Sequence, residues 1–318
     1  MKSISLNRLL LFVAILLLLV GSAQAQKLKL GSSIKLSPIF YLPIMAAEDR
    51  GFWRENGLDV EWVPFAGSAP MFSAAAGRAL NVGLTDAPSL VLAAGRGVPV
   101  TAVSDLQSAE LFVLWARTEK NVKELKDLKG VTIGVPRFGG VSHAYGQIVG
   151  KLQGREANIK VVAVGGIPEI VAGLKTGVID ATIEPTHLVI GLKIQGVIKE
   201  VVPMAELLPK EWAGHWLFAH KDYIKSDEGT VRRLVKAVLQ STNYIRTNPR
   251  WATEKMMAVS GFSDEGARAI YAGYQFASDG KVSLKGVENV KNFLVEYGLL
   301  AKEKVPPAAE LFTSDFVR

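Results

Sequence analysis

Residues 28–64 read LKLGSSIKLSPIFYLPIMAAEDRGFWRENGLDVEWVP. Leu28 to Ser32 is a short β-type run, and Phe40 to Glu55 is a helical segment. Asn56-Gly57 supplies a left-handed stop, and Leu58 to Pro64 sets aliphatic and aromatic residues between polar ones as a second strand. Strand, helix and strand in this order make the repeating unit of a parallel sheet, so the span predicts an open α/β fold.

Outward from it the rhythm continues. Ala69 to Ala76 reads as an Ala-rich helix ended by Gly77, Asn81 to Thr85 as a strand, and Pro88 opens a helix that stops at Gly95. Val98 to Val103 and Leu111 to Ala116 are expected to complete this first sheet. Charge rises from Arg117 to Leu128, which marks a crossing segment. A second α/β unit follows, with strands at 131–135, 159–164 and 181–184 and helices at 142–152 and 168–175. After a short strand from Trp216 to Ala219, helices dominate. Ser226 is placed as a cap ahead of Asp227 and Glu228, and Val231, Leu234, Val235, Val238 and Ile245 form one apolar face. The last helix spans Leu284 to Tyr297. By pattern alone this tail is either a third domain or a return to the first unit.

The N-terminus reads as a processing signal. Lys2 and Arg8 precede an unbroken apolar run from Leu9 to Val20, and Ala23-Gln24-Ala25 fits a small-x-small cleavage site. Residues 1–25 are therefore expected to be a signal peptide, with a mature chain from Gln26 in the periplasm or another extracytoplasmic space. The sequence has no cysteine, which excludes disulfides, thiolate metal sites, cysteine nucleophiles and a lipid-modified cysteine. Its net charge of +7 is spread among acids without a basic block or interleaved aromatics, which argues against nucleic-acid binding. Four histidines are few, and His143 and His187 have no partner at metal-ligand spacing, so no metal site is expected and nothing calls for a cofactor.

Four loops follow a strand and precede a helix: Ser33 to Phe40, Ala66 to Ala69, Thr85 to Pro88, and Arg137 to Ser142. In open α/β sheets ligands bind outside the carboxyl ends of strands, and helix N-termini there present free amides. Gly67-Ser68 and Gly139-Gly140 allow tight turns close to a polar ligand; each alone reads more readily as an ordinary turn with Ser68 or Ser142 as cap, and the case comes from four loops in the same topological place. Arg137 is either an anion contact or a surface arginine. Glu184 and Asp86, each at a strand end, are open between a ligand contact and a structural role. Phe40, Tyr41, Phe65, Phe138 and Trp216 sit beside these loops, as an aromatic-walled pocket would require. Trp53 and Trp62 read as core.

Pro43 to Val60 (PIMAAEDRGFWRENGLDV) resembles the opening signature of the periplasmic substrate-binding proteins of ABC importers for nitrate, sulfonate and thiamine-pyrimidine precursors. NVGLTD at 81–86, LKDLKGVTIGV at 125–135 and AGLKTGVIDATIEP at 172–185 resemble that family in order. The resemblance implies a type II periplasmic-binding-protein clamshell, two α/β lobes joined by two crossings. Lobe I would comprise 26–116 and the helical return 214–318, and lobe II would be 117–213. It implies a monomer that closes on a small solute and docks on a membrane permease. Ser33, Ser37, Gly67, Ser68, Thr85, Asp86, Gly139, Gly140 and Glu184 fall where the family's cleft contacts are usual, and Arg137 joins them on the residue argument. Two other readings compete. A sensory binding protein would look the same in sequence. An enzyme on this fold is disfavoured, since the related enzymes use cysteine and no nucleophile elbow is present.

Overall fold

The computed structural model describes residues 27–138 and 140–317. The expected signal peptide at 1–25 and the candidate Gly139 lie outside the described residues. The first sheet has five strands in the order β2-β1-β3-β10-β4: β1 Leu28–Ser32, β2 Val60–Pro64, β3 Val82–Asp86, β4 Val100–Gln107 and β10 His215–His220. β1, β2 and β3 pair in parallel, whereas β10 enters antiparallel between β3 and β4. Its register sets Thr85 opposite Trp216 and Asp86 opposite His215.

Helix α1, Pro38–Arg50, and helix α2, Phe52–Glu55, replace the single helix expected from Phe40 to Glu55. Gly51 stands between them at φ 76, a left-handed conformation that closes one helix and re-aims the next. α1 packs with α9, Glu228–Thr247, on one face of the first sheet, where Leu30, Leu84 and Leu217 meet Val231, Leu234 and Val238. On the other face lie α3, Ser68–Ala76, and α4, Ala87–Gly95, whose Met71, Phe72 and Val91 pack with Phe218 and Ala102. Asp227 caps α9 by accepting from the Thr230 amide, and Ser226, the expected cap, instead ends α8, Lys221–Ser226.

The second sheet also has five strands, in the order β7-β6-β8-β5-β9: β5 Phe112–Arg117, β6 Thr132–Val135, β7 Lys160–Ala163, β8 Ala181–Pro185 and β9 Ile198–Pro203. α5, Val141–Gln153, covers one face with Tyr145, Ile148 and Val149. α6, Ile167–Thr176, and α7, Thr186–Ile194, cover the other, packing Ile170, Leu174, Val189 and Leu192 with Trp115. Two differences from the sequence reading stand out. The strand read at 111–116 belongs to the second sheet, antiparallel to β8 and β9, so the chain crosses between sheets at 108–111 rather than at 117–128. α7 and β9 were not expected at all.

The second crossing is 204–214, between β9 and β10. The two crossings run against each other: a Cβ on Gly214 would collide with the Gln107 carbonyl oxygen and lie 2.7 Å from that of Ala109. Beyond β10, α10 (Pro249–Ser260), α11 (Asp264–Gly273), α12 (Leu284–Glu296) and α13 (Ala308–Leu311) complete the chain. Phe293 of α12 meets the Tyr145 ring at 5.5 Å and Trp212 at 5.4 Å, so the core of the first unit continues into α5 of the second. The fold is two α/β units on mixed sheets joined by two crossings. Among the described residues no helix is long and apolar enough to cross a membrane.

Candidate functional site

The carboxyl ends of β1, β3 and β8 bring polar side chains to the junction of the two units. Asp86 ends β3 and caps α4, its Oδ1 accepting from the Ser89 amide at 2.8 Å. Its Oδ2 faces the Ser68 hydroxyl at 3.5 Å. Ser68 is thus no helix cap: Gly67, at φ 127, holds the N-cap position of α3, and the serine turns to Asp86. In the second unit Ser142, in the first turn of α5, likewise makes no cap and donates to Glu184 Oε1 at 2.9 Å. Trp115 donates to the Glu184 carbonyl at 2.9 Å and fixes the backbone there.

From these pairs a circuit of neighbours can be traced, joined in part by hydrogen bonds and in part along the backbone. Tyr145, one helical turn after Ser142, donates its hydroxyl to Glu110 in the first crossing. Glu110 also accepts from the amides of Leu111 at 2.8 Å and Phe112 at 3.0 Å, and the Asp86 carboxylate lies close enough to oppose its charge. Asp86 stands across the strand pair from His215. His215 packs edge-on to Phe40 at 5.5 Å and neighbours His187, three residues after Glu184. His187 Nδ1 shares a hydrogen bond with the Tyr274 hydroxyl at 2.8 Å, with the Ser37 side chain in range of the same oxygen. The circuit therefore passes from the first sheet through the crossing to the second and back.

Burial sets the charge states. Glu184, 3 % exposed, is pushed up to about 8 by desolvation, with the Ser142 hydroxyl opposing. Burial likewise raises Asp86 and Glu110, and it lowers His187 and His215 to about 3, so both imidazoles are neutral. Several buried polar atoms here have no partner among the described residues: Ser33 Oγ, Thr85 Oγ1, His187 Nε2, His215 Nδ1 and Trp216 Nε1. Buried polar groups are normally hydrogen-bonded, so a cluster of exceptions at one junction has the chemistry of a binding site.

The candidates thus divide. Ser37, Ser68, Asp86 and Glu184 join the circuit, Ser33 and Thr85 supply unpaired hydroxyls beside it, and Gly67 and Gly140 occupy helix N-cap positions next to it. Arg137 is exposed, as is Phe138 at 60 %. Of the aromatics, Phe40, Tyr41 and Trp216 are buried and Phe65 is partly so. The sequence reading missed Glu110, Tyr145, His215 and Tyr274. Two of them carried a signal: Tyr145 shares a helix face with Ser142, and His215 directly precedes a recognised strand. Among the described residues no group of three or more His, Asp or Glu side chains is arranged to hold a metal.

The chain is similar to proteins of known type. Over 123 residues, 39 % of its length, it is 28 % identical to a putative thiamine biosynthesis protein of Haemophilus influenzae, a match spanning 39 % of that relative. The alkanesulfonate-binding protein SsuA of Xanthomonas axonopodis pv. citri, solved bound to MOPS, superposes with a TM-score of 0.75 over 90 % of this chain and 98 % of its own, at 16 % identity. The periplasmic nitrate-binding protein NrtA of Synechocystis PCC 6803 does so with a TM-score of 0.67 over 91 % and 86 %, at 14 % identity. At such identities the likeness is one of fold. These structural neighbours are binding proteins. Residues 40–252, well over half of the sequence, match the NMT1/THI5-like family, and the chain belongs to that family.

Proposed function

We infer that the protein is the extracytoplasmic solute-binding component of an ABC-type importer. The junction between the two units is its binding cleft, and the crossings at 108–111 and 204–214 are its hinge. A small solute bridges Ser33, Ser37, Ser68, Thr85 and Asp86 from one lobe and Glu184 from the other, and the closed form docks on a membrane permease. The protein acts as a monomer, without cofactor and without catalysis, after removal of residues 1–25. One observation carries the reading: polar side chains of both units meet at the junction, with five buried polar atoms that lack partners among the described residues. A solute that satisfies those atoms binds the closed arrangement better than any open one, and that differential affinity drives closure.

The test is native mass spectrometry of protein purified without denaturation, beside protein unfolded and refolded. The expected result is a small-molecule adduct that refolding removes, together with a larger radius of gyration in small-angle scattering of the refolded sample. A bare mass and an unchanged radius in both samples would set the reading aside.

A further inference from the structure

Apart from the junction circuit, a second recess of about 520 Å³ is walled by both crossings. Ser108 and Glu110 of the first crossing line it, with Leu208, Lys210 and Trp212 of the second, and the segment 275–281 completes the wall. That segment is fastened to the edge strand β4: the Asp105 amide donates to the Gly280 carbonyl at 2.7 Å, and the Ala277 amide to that of Leu106 at 2.6 Å. Of the circuit Glu110 alone borders the recess, and its carboxylate is already taken by Tyr145 and the amides of Leu111 and Phe112. The other polar groups sort by depth. Asp105 is 2 % exposed; its Oδ2 accepts from the Ser108 hydroxyl, and its Oδ1 is buried without a partner among the described residues. Trp212, 3 % exposed and edge-on to Phe293, has its Nε1 likewise unpartnered. Burial lifts Asp105 to about 7 against the Ser108 hydroxyl, and the Asp279 charge adds to the rise, the behaviour of a buried carboxyl with no cation beside it. Further out, Lys210 and Lys281 are exposed. Lys281 stands 3.8 Å from Asp279, and Lys210 has no ion pair among the described residues.

We propose that this recess is a second binding site, for a small zwitterion that carries an ammonium and a carboxylate on one short frame, and that its occupancy biases the hinge. The ammonium meets Asp105 at depth, and the carboxylate meets Lys210 and the Trp212 indole of the second crossing. A cation alone would leave the lysines opposed to it, and an anion alone would be set against Asp105; a molecule with both charges suits each. A recess of this volume is in the range that small ligands occupy. Since both crossings wall it, a ligand that fits the recess binds the described arrangement better than one in which the crossings have moved. It therefore shifts the population toward that arrangement. The site itself stands apart from solute binding at the junction, and only its effect on the hinge rests on that reading.

Isothermal titration calorimetry of the full-length mature chain tests the site, with glycine, β-alanine and 4-aminobutanoate set against propylamine and propanoate. Small-angle scattering with and without the bound probe tests the coupling. The expected result is that at least one zwitterion binds and that Asp105→Asn and Lys210→Met each lower its affinity about tenfold or more, as loss of a charge-assisted contact does. Lys210 is exposed, so that variant leaves the fold intact even if Asp105→Asn does not. The single-charge probes are expected to bind more weakly by a similar factor, and the scattering curve to move toward that of the described arrangement. Equal binding of propylamine or propanoate, or zwitterion binding indifferent to both variants, overturns the site. Binding with an unchanged scattering curve overturns the effect on the hinge. Silence from all five probes overturns the proposal, and the native-mass adduct still judges solute binding at the junction on its own.

Discussion

The Tyr145 hydroxyl, carried by α5 of the second unit, donates to the carboxylate of Glu110 in the first crossing. Both groups are deep in the junction, and burial holds the phenol well above its usual range and the carboxyl above its own. Removing the hydroxyl leaves Glu110 with only its two backbone donors. Tyr145→Phe is expected to lower stability by about 1–2 kcal/mol, the usual cost of stripping a partner from a buried acceptor. Denaturant unfolding checks it, and Glu110→Gln, whose one carbonyl oxygen can keep the Leu111 and Phe112 amides while its NH2 donates to the Tyr145 hydroxyl, is expected to cost less.

The buried titratable groups give stability a sign with pH. Glu184 is raised from 4.5 to about 8 and Asp105 from 3.8 to about 7, each chiefly by burial, with Asp86 and Glu110 raised in the same sense. Such groups stabilise the fold below their unfolded values and lose that contribution as pH climbs through the folded ones. His187 and His215, lowered from 6.5 to about 3, act oppositely: their contribution is present above 6.5 and lost on acidification toward 3. The two sets oppose each other at acid pH, and above about 6.5 only the acids differ between folded and unfolded chains. The urea midpoint of the solute-free protein is therefore expected to fall between pH about 6.5 and about 8, with a shallower fall in Glu184→Gln.

Asp86 has two duties that substitution separates. Asp86→Ala removes the α4 cap and is expected to cost about 1 kcal/mol of stability as well as solute affinity. Asp86→Asn keeps an acceptor for the Ser89 amide, so its stability is expected to stay within about 0.5 kcal/mol of the parent while its affinity falls. Equal stability loss in both variants would reduce Asp86 to a charged cap with no bearing on ligand.

Gly214 lies where the crossings touch, and a methyl group there meets the backbone carbonyls of Gln107 and Ala109 rather than a side chain able to turn away. Gly214→Ala is expected to destabilise by about 1–3 kcal/mol through overpacking. It is also expected to enlarge the radius of gyration, since the strands on either side must part. Wild-type scattering and melting from this variant would mean that the crossings yield freely.

Much of the architecture could be read from punctuation. Asn56-Gly57, Gly77, Gly95 and Asn248-Pro249 bound their elements because few other residues suit those turns. Gly51 escaped notice because Phe52 and Trp53 resume the helical pattern directly after it. The sheet to which β5 belongs was not legible: strand alternation says which face is buried, not which neighbour supplies the hydrogen bonds. α7, interrupted by Gly191, and β9, closed by Pro203, carry weak versions of their own patterns. Asp86, Ser68 and Glu184 were found because strand ends before helices are where open sheets bind ligands. Tyr145, Tyr274 and Glu110 were missed because their partners are 35 or 87 residues away, a distance that no local pattern spans.

β10 has a consequence for the order of assembly. Every strand of the second sheet lies in one continuous stretch, 112–203, so that sheet can close as soon as those residues exist. In the first sheet the strand beside β4 is β10, which arrives in the chain after the whole second unit, and the bridge from Ala102 of β4 to Phe312 comes later still. A chain still emerging from the ribosome holds β4 as an unpaired edge throughout that interval, open to wrong partners. The unit begun first is thus finished last, and what governs the yield of correctly assembled protein is how long β4 waits for His215–His220.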